Sequence, residues 1–359
     1  MGNAYKVGLQ VKATRELIHL MKAIVFETPG SPSVLKLQDI PAPTIQTETQ
    51  VLVRLRAAGI NPIDTKLRSR GTFYPEKTPH VLGCDGAGVV EAVGTAVQSV
   101  QVGDEVFFCN GGLGGSIGTY AEFAVVDERF LAIKPAALSF AEAAAAPLVL
   151  ITAWESLYDR GRLQAGQVLS KKVLILAGAG GVGHVAIQLT KLQGAEVCTT
   201  VSSEAKAEFV RQLGADSVIL YKNTDVVDEV LTWTQGQGVD LAFDTVGGET
   251  FYQIIPAVKI YGDLVTILEP DPDLGNLKTA RMRNLRISLE LMLTPMLQGL
   301  ERQQEYQANI LRQCARLCDR NLLKIHVSQT FPLAQAQAAH ELLETGSVTG
   351  KIVLEIAGD

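Results

Sequence analysis

The chain has 359 residues, 47% of them hydrophobic, 19% charged and only 6% aromatic, with 33 glycines and a formal charge of −6 at neutral pH. That length exceeds the roughly 100 to 200 residues of one ordinary domain, so two domains with a cleft between them are expected, and the apolar content excludes a disordered chain. A net negative charge without a basic block excludes a dedicated nucleic-acid surface, which needs clustered Lys and Arg to meet phosphate.

The first 20 residues are broken by Lys6, Lys12, Arg15 and Glu16, unlike the uninterrupted apolar core of a signal peptide. They read as an extension, within which residues 11–20 can form an amphipathic helix. The strand-like Lys22-Ala23-Ile24-Val25-Phe26 follows Met21, so the fold is expected to begin there. Up to about Pro135 the pattern is of short strands divided by Gly and Pro, at 51–57, 88–93, 105–108 and 120–126, which makes this half β-rich. An Ala-rich stretch at 140–146, closed by Pro147, passes into helical sequence including 152–158.

From Lys172 strand and helix alternate strictly: strands at 173–176, 196–201, 217–220 and 239–243, helices at 182–193, 204–213 and 224–233, then a helix after Gly248 and a strand at 263–268. With 286–289 as the last strand, this predicts a doubly wound six-stranded parallel sheet. A helix at 303–320 and a strand at 352–356, able to return to the first domain, close the chain. The expected division is an extension over 1–20, a β-rich domain over 21–148, a dinucleotide-binding domain over 149–290, and a return to the first domain over 291–359. No apolar run approaches the roughly 20 residues of a membrane span. The five cysteines, Cys84, Cys109, Cys198, Cys314 and Cys318, are odd in number and scattered, which suits a reducing, cytoplasmic setting. Cys314 and Cys318 have helical spacing and read as two helical thiols.

Gly178-Ala179-Gly180-Gly181-Val182-Gly183 follows a β-run and opens an apolar helix, the context that gives a Gly-x-Gly-x-x-Gly run its meaning. Glycines permit a tight turn and a close approach of backbone N–H groups to a pyrophosphate at a helix N-terminus. An NAD site commonly ends its second strand on an acid that binds the ribose 2′-hydroxyl. Here Glu196-Val197-Cys198-Thr199-Thr200-Val201 runs instead into Ser202 and Ser203, with Lys206 one turn later. Two hydroxyls and a cation predict NADPH, with helix capping by Ser203 as a compatible second role.

Together with that motif, Ala58-Gly59-Ile60-Asn61-Pro62-Ile63-Asp64, Gly83-Cys84-Asp85-Gly86-Ala87-Gly88, Val102-Gly103-Asp104-Glu105-Val106, Tyr120-Ala121-Glu122-Phe123, Phe243-Asp244-Thr245-Val246-Gly247-Gly248 and Thr349-Gly350-Lys351-Ile352-Val353-Leu354 stand in one order. From Met21 onward the chain resembles the zinc-independent quinone oxidoreductase branch, which includes the zeta-crystallins, of the medium-chain dehydrogenase/reductase superfamily. The resemblance implies an α/β fold: a GroES-like β-rich catalytic domain resumed by the C-terminus, and a Rossmann domain. It implies that Asn61 and Thr152 lie near the nicotinamide, that Ser202, Lys206 and Tyr221 lie near the adenosine phosphate, and that the Val246 and Ile267 regions line the cofactor channel.

Zinc-containing relatives carry a Cys ligand at the position of Asn61 and a His ligand at that of Cys84, and a four-cysteine lobe where this chain has Cys109-Asn110-Gly111-Gly112-Leu113-Gly114-Gly115. Zinc independence is therefore expected. Without a Lewis acid, electron-poor acceptors such as quinones and α,β-unsaturated carbonyls are the expected substrates. Several relatives place a Tyr in the loop after the first helix; Gly71-Thr72-Phe73-Tyr74-Pro75 puts Phe73 at that position and Tyr74 beside it. Tyr74 is thus a candidate proton donor, with solvent as the alternative. Asp64 and Asp85 are read as structural carboxylates bonding backbone or Arg. The 289–300 segment, with Met292 and Met296, is read as a cover for the substrate end, as core or as a dimer interface. The resemblance also implies a dimer or tetramer, for which 261–268 is the suspected contact. The alternatives are an NADPH-binding structural or regulatory protein without turnover, and an enoyl-thioester reductase.

Overall fold

A computed structural model describes residues 19–163 and 171–356; residues 1–18 of the extension expected over 1–20, with most of the possible 11–20 helix, lie outside the described residues. Three sheets organise the described residues. The first strand, Leu20–Phe26, lies between Lys36–Pro41 and His80–Val81 in a small antiparallel sheet. A seven-stranded sheet runs in the order Val327–Pro332, Lys351–Glu355, Gln50–Ile60, Asp85–Val93, Glu105–Cys109 and Leu131–Ile133, with Phe123–Asp127 also paired to Gln50–Ile60. Its alternating pattern puts Val51, Val53 and Leu55 in the core while Leu52 and Arg54 are only partly covered. The strand Lys351–Glu355 is antiparallel to Gln50–Ile60, Ile352 opposite Ile60, so the chain comes back to its first sheet.

The third sheet is parallel throughout: Ser217–Leu220, Glu196–Val201, Lys172–Ile175, Val239–Asp244, Val258–Thr266 and Arg286–Leu289 in spatial order. This is the doubly wound order in which the connection reverses direction beside the first strand. Parallel strands covered on both faces read as continuous apolar runs, and Val173, Leu174 and Ile175 are fully buried. The architecture is α/β, a GroES-like β-rich unit joined to a Rossmann unit.

One expectation is corrected. The stretch 261–268 was suspected as an exposed sheet edge, but Val258–Thr266 lies inside the sheet, and Arg286–Leu289 is the edge strand. Residues Asp263–Thr266 hydrogen-bond on both sides, so only the irregular part of the same strand before them is bare, with Tyr261 67% exposed. Met292 and Met296 pack into or against the core. Between them, Thr294–Leu297 forms a short helix.

Candidate active site

The strand Lys172–Ile175 leads into the glycine turn, and the helix Gly181–Leu192 leaves it with Gly180 as N-cap. A Cβ on Gly178 would lie 2.0 Å from Thr199 Oγ1, and one on Gly183 would lie 2.4 Å from the Ala177 carbonyl oxygen. Both positions therefore need glycine so that the strand, the turn and the helix can lie against one another. Ala179 is buried beneath the turn, where its carbonyl accepts from Gly350 N–H at 2.8 Å.

Gly180, Gly181, Val182 and Gly183 line a cavity of about 190 Å³ whose opposite walls include Asn61, Thr245, Ile267 and Lys351. The helix N-terminus thus faces a hollow bounded by the GroES-like unit. Asn61 reaches it as N-cap of the helix Pro62–Arg70, with Pro62 at the first helical position and Asp64 Oδ2 accepting from Asn61 N–H at 2.8 Å. The Lys351 ammonium, buried at the start of the returning strand, donates to the carbonyl of Ile60 and to Asn61 Oδ1. Asn61 Nδ2 donates to Asp85 Oδ2 at 2.9 Å, and Asp85 Oδ1 accepts from Leu148 N–H. A lysine can only donate and a carboxylate only accept, so the orientation of the Asn61 amide is dictated.

Burial pushes the Asp64 carboxyl up to about 7, against the opposing hydrogen bond from Asn61 N–H and the Lys351 charge. Asp85 is raised to about 6, again by burial first and against Lys351. Burial lowers Lys351 while the two carboxyls pull it back up. Tyr120 donates to Asp64 at 3.2 Å and meets His340 at 3.2 Å, extending the polar chain into the core. The expectation that these aspartates bond backbone or Arg holds for the backbone; the cation between them is Lys351, not an arginine.

Cys84 and Cys109 are hydrogen-bonded to each other. That contact lowers the Cys84 thiol, but burial and the nearby Asp64 and Asp85 outweigh it and raise the thiol overall. Thr152, at the end of Pro147–Trp154, is buried and donates to Leu148 C=O at 2.7 Å, immediately behind the cavity wall. Val246 is 46% exposed beyond the strand Val239–Asp244, its N–H donating to Asp244.

At the far end of the glycine turn, Ser202 and Ser203 follow the strand Glu196–Val201, and Ser203 caps the helix Glu204–Gln212 by accepting from Lys206 N–H. Tyr221 lies alongside, its N–H donating to Val201 C=O, with its side chain largely exposed. Partial burial lowers Lys206, and so does the neighbouring Lys222, which sequence reasoning did not single out.

Tyr74 is placed elsewhere. Its ring covers Gly115 and lies under the Lys77 ammonium at 5.2 Å, and it lines neither the Asn61 cavity nor the larger cleft described next.

Ile267 also lines a cleft of about 820 Å³, with Lys66, Glu155, Arg160, Leu289, Glu290 and Tyr306 among its other walls. The 289–300 segment covers this cleft through Leu289, Leu291, Thr294, Pro295 and Leu300 rather than through its methionines.

Sequence comparison matches residues 47–136 to the alcohol dehydrogenase GroES-like domain and residues 213–354 to the zinc-binding dehydrogenase family. A quinone oxidoreductase of Pseudomonas aeruginosa is 34% identical, the match covering 93% of this chain and 99% of that protein. The chain belongs to the quinone oxidoreductase branch of the medium-chain dehydrogenase/reductase superfamily. An NADPH-dependent alkenal/one oxidoreductase of Arabidopsis thaliana is 40% identical over 67% of this chain and 61% of its own length. Among solved structures, Escherichia coli quinone oxidoreductase complexed with NADPH superposes with a TM-score of 0.80 at 30% identity, covering 93% of this chain and 99% of that one. The chain is an oxidoreductase of this quinone and enone type.

Among the described residues no helix is long and apolar enough to cross a membrane.

Proposed function

We propose that the chain is an NADPH-dependent, zinc-independent reductase that transfers a hydride to a quinone or to an α,β-unsaturated carbonyl. The observation that carries this reading is the glycine-turn cavity, walled by Asn61 and Lys351, which shares Ile267 with a cleft large enough for such an acceptor. Backbone N–H groups of Gly180 to Gly183 and the helix N-terminus would hold the pyrophosphate, with Lys351 as the nearest buried cation. Asn61 commits Oδ1 to Lys351 and one amide hydrogen to Asp85, leaving its second amide hydrogen for the nicotinamide end. Thr152, Val246 and Ile267 remain the proposed flank of the channel.

Ser202, Ser203, Lys206 and Tyr221, with Lys222 added to them, form the proposed 2′-phosphate site. The NADPH dependence of the Arabidopsis relative and the NADPH of the Escherichia coli structure support the choice of cofactor. Zinc independence is supported by the donor set: the Asn61 amide is engaged by Lys351 and Asp85, and the Cys84 thiol by Cys109. When bound, NADPH would supply the hydride; the chain's own groups orient it and exclude water around the acceptor. Tyr74, packed on Gly115, has no support here as proton donor.

The division at 148/149 and 290/291, a cytoplasmic location suggested by five free thiols, and association through the edge strand Arg286–Leu289 are part of the same proposal. Near that edge Met282 is 83% and Leu289 60% exposed.

The test is oxidation of NADPH by metal-stripped protein against a panel of quinones and enones, with NADH as the paired cofactor. Turnover that favours NADPH is expected. Tight NADPH binding without turnover on either acceptor class overturns the reading, and dependence on added zinc overturns its metal part.

A further inference from the structure

The end of the helix Pro147–Trp154 does not continue as α-helix. Residues Glu155–Arg160 form a π-helix, closed by the Gly161 N–H donating to Ser156 C=O at 2.8 Å. Such turns are rare and concentrate at functional sites. In this one Glu155, Asp159 and Arg160 all line the large cleft.

Glu155 is hydrogen-bonded to Glu290, which follows the edge strand and is almost wholly buried. Arg160 Nε donates to Glu290 Oε2 at 2.7 Å, which anchors Glu290 as the charged member of the pair. Glu155 Oε1 accepts from Gln307 Nε2 at 3.1 Å, so a proton on its other oxygen is free to point at Glu290 or into the cleft. The remaining charged and titratable groups around the pair are Asp159, held by Tyr306 O–H at 3.0 Å, and Lys66 and Glu269 on the cleft wall. A carboxyl that faces a fixed carboxylate in a partly dry cleft keeps its proton to unusually high pH. Burial first, and then the Glu290 charge, push Glu155 up to about 8.

We propose that Glu155 is the general acid of the reaction, donating a proton from the cleft wall to the reduced acceptor. The proposal rests on the reading above that the acceptor occupies this cleft. Once an enone has taken its hydride at the β-carbon, the π electrons collect on the carbonyl oxygen as an enolate. The Glu155 O–H bond breaks, its proton forms the enol O–H, and a carboxylate stays behind; with a quinone the same step completes the hydroquinone. The new carboxylate faces Glu290, so repulsion drives it to recover a proton from solvent at the cleft mouth. A donor that titrates near the working pH is the efficient kind of general acid.

The experiment compares the full chain with Glu155→Gln, Glu155→Asp and Glu290→Gln, using whichever acceptor the wild type reduces. Failure of the wild type to reduce any quinone or enone overturns the functional reading itself and is seen before any variant is made. Glu155→Gln keeps the shape and the Gln307 contact and is expected to lower kcat roughly 100-fold with unchanged NADPH affinity. It should also abolish the fall of kcat at high pH. Glu155→Asp should restore part of kcat and that alkaline limb, and Glu290→Gln should move the limb to lower pH. Infrared titration of the protein without cofactor gives an activity-free reading: a protonated carboxyl band that persists to about pH 8 in the wild type and is missing from Glu155→Gln. Wild-type kcat and pH profile in Glu155→Gln, or an unchanged infrared titration, overturn the proposal.

Discussion

Lys351→Met tests whether a buried cation organises the cofactor cavity. The side chain is 4% exposed, and its Nζ satisfies the carbonyl of Ile60 and Oδ1 of Asn61 while facing Asp85 and Asp64, both fully buried. Methionine keeps most of the volume and removes the charge. Two acceptors then lose their donor and two carboxyls lose their cation, and breaking a buried pair in this way costs about 3 to 5 kcal/mol. The penalty has a signed pH dependence. Asp85 and Asp64 are already raised, to about 6 and about 7, with Lys351 holding both down. A raised carboxyl contributes stability that is fully present below its unfolded value and is lost as pH rises through the folded one. Without the ammonium both carboxyls climb further, so the gap between variant and wild type should widen from pH 5 to pH 8. Urea titrations at the two pH values measure it. Adding Asp85→Asn to Lys351→Met should recover about 0.5 to 3 kcal/mol at pH 8, the coupling expected of contacting groups. Equal urea midpoints at pH 8, or a gap that widens towards pH 5, would refute the reasoning.

Lys206→Ala should raise the Kd for NADPH about 10- to 100-fold, the loss of a charge-assisted hydrogen bond, while barely moving that for NADH, and Lys222→Ala should act in the same direction; isothermal titration with both cofactors decides it. Burial holds His184 near 4 against an ordinary 6.5, so its contribution is complete above pH 6.5 and drains away as pH falls through 4, by roughly 3 kcal/mol. His184→Asn should flatten the acid limb of stability against pH; an identical limb would count against that assignment. Gly183→Ala brings a Cβ to 2.4 Å from the Ala177 carbonyl oxygen, and an overpacking cost of about 1 to 3 kcal/mol should lower the urea midpoint and weaken NADPH binding together.

The parallel sheet was legible because its central strands are covered on both faces and read as apolar runs between turn residues; Glu196–Val201 and Ser217–Leu220 fall on the expected residues. The glycine turn and Asn61 stand in motifs, Ile267 was expected only through the resemblance, and the three line one cavity. Lys351 was quoted within a motif but given no part, although a lone lysine heading Ile352-Val353-Leu354 is a recognisable signal of a satisfied buried cation. Lys222 becomes visible only when Ser217–Leu220 is laid beside Glu196–Val201. Glu155 and Glu290 lie 135 positions apart in the chain, and no local pattern announces that two acids will share one wall. Tyr74, the aromatic beside the expected position, packs on Gly115 and under Lys77 and lines neither hollow, a contact that no local pattern announces.

The strand that carries Lys351 has a consequence for the order of events during synthesis. The parallel sheet is complete once Leu289 has emerged, so the Rossmann unit can fold on the ribosome with its glycine turn already shaped. The cation that faces that turn, and the clip by which His184 accepts from His326 N–H and Gln188 exchanges hydrogen bonds with the backbone of Lys324, are translated later. A nascent chain therefore presents a shaped but open dinucleotide turn for some 60 residues of elongation, a few seconds to about ten at ordinary translation rates. Early cofactor capture would be weak, and full affinity would mark a finished molecule.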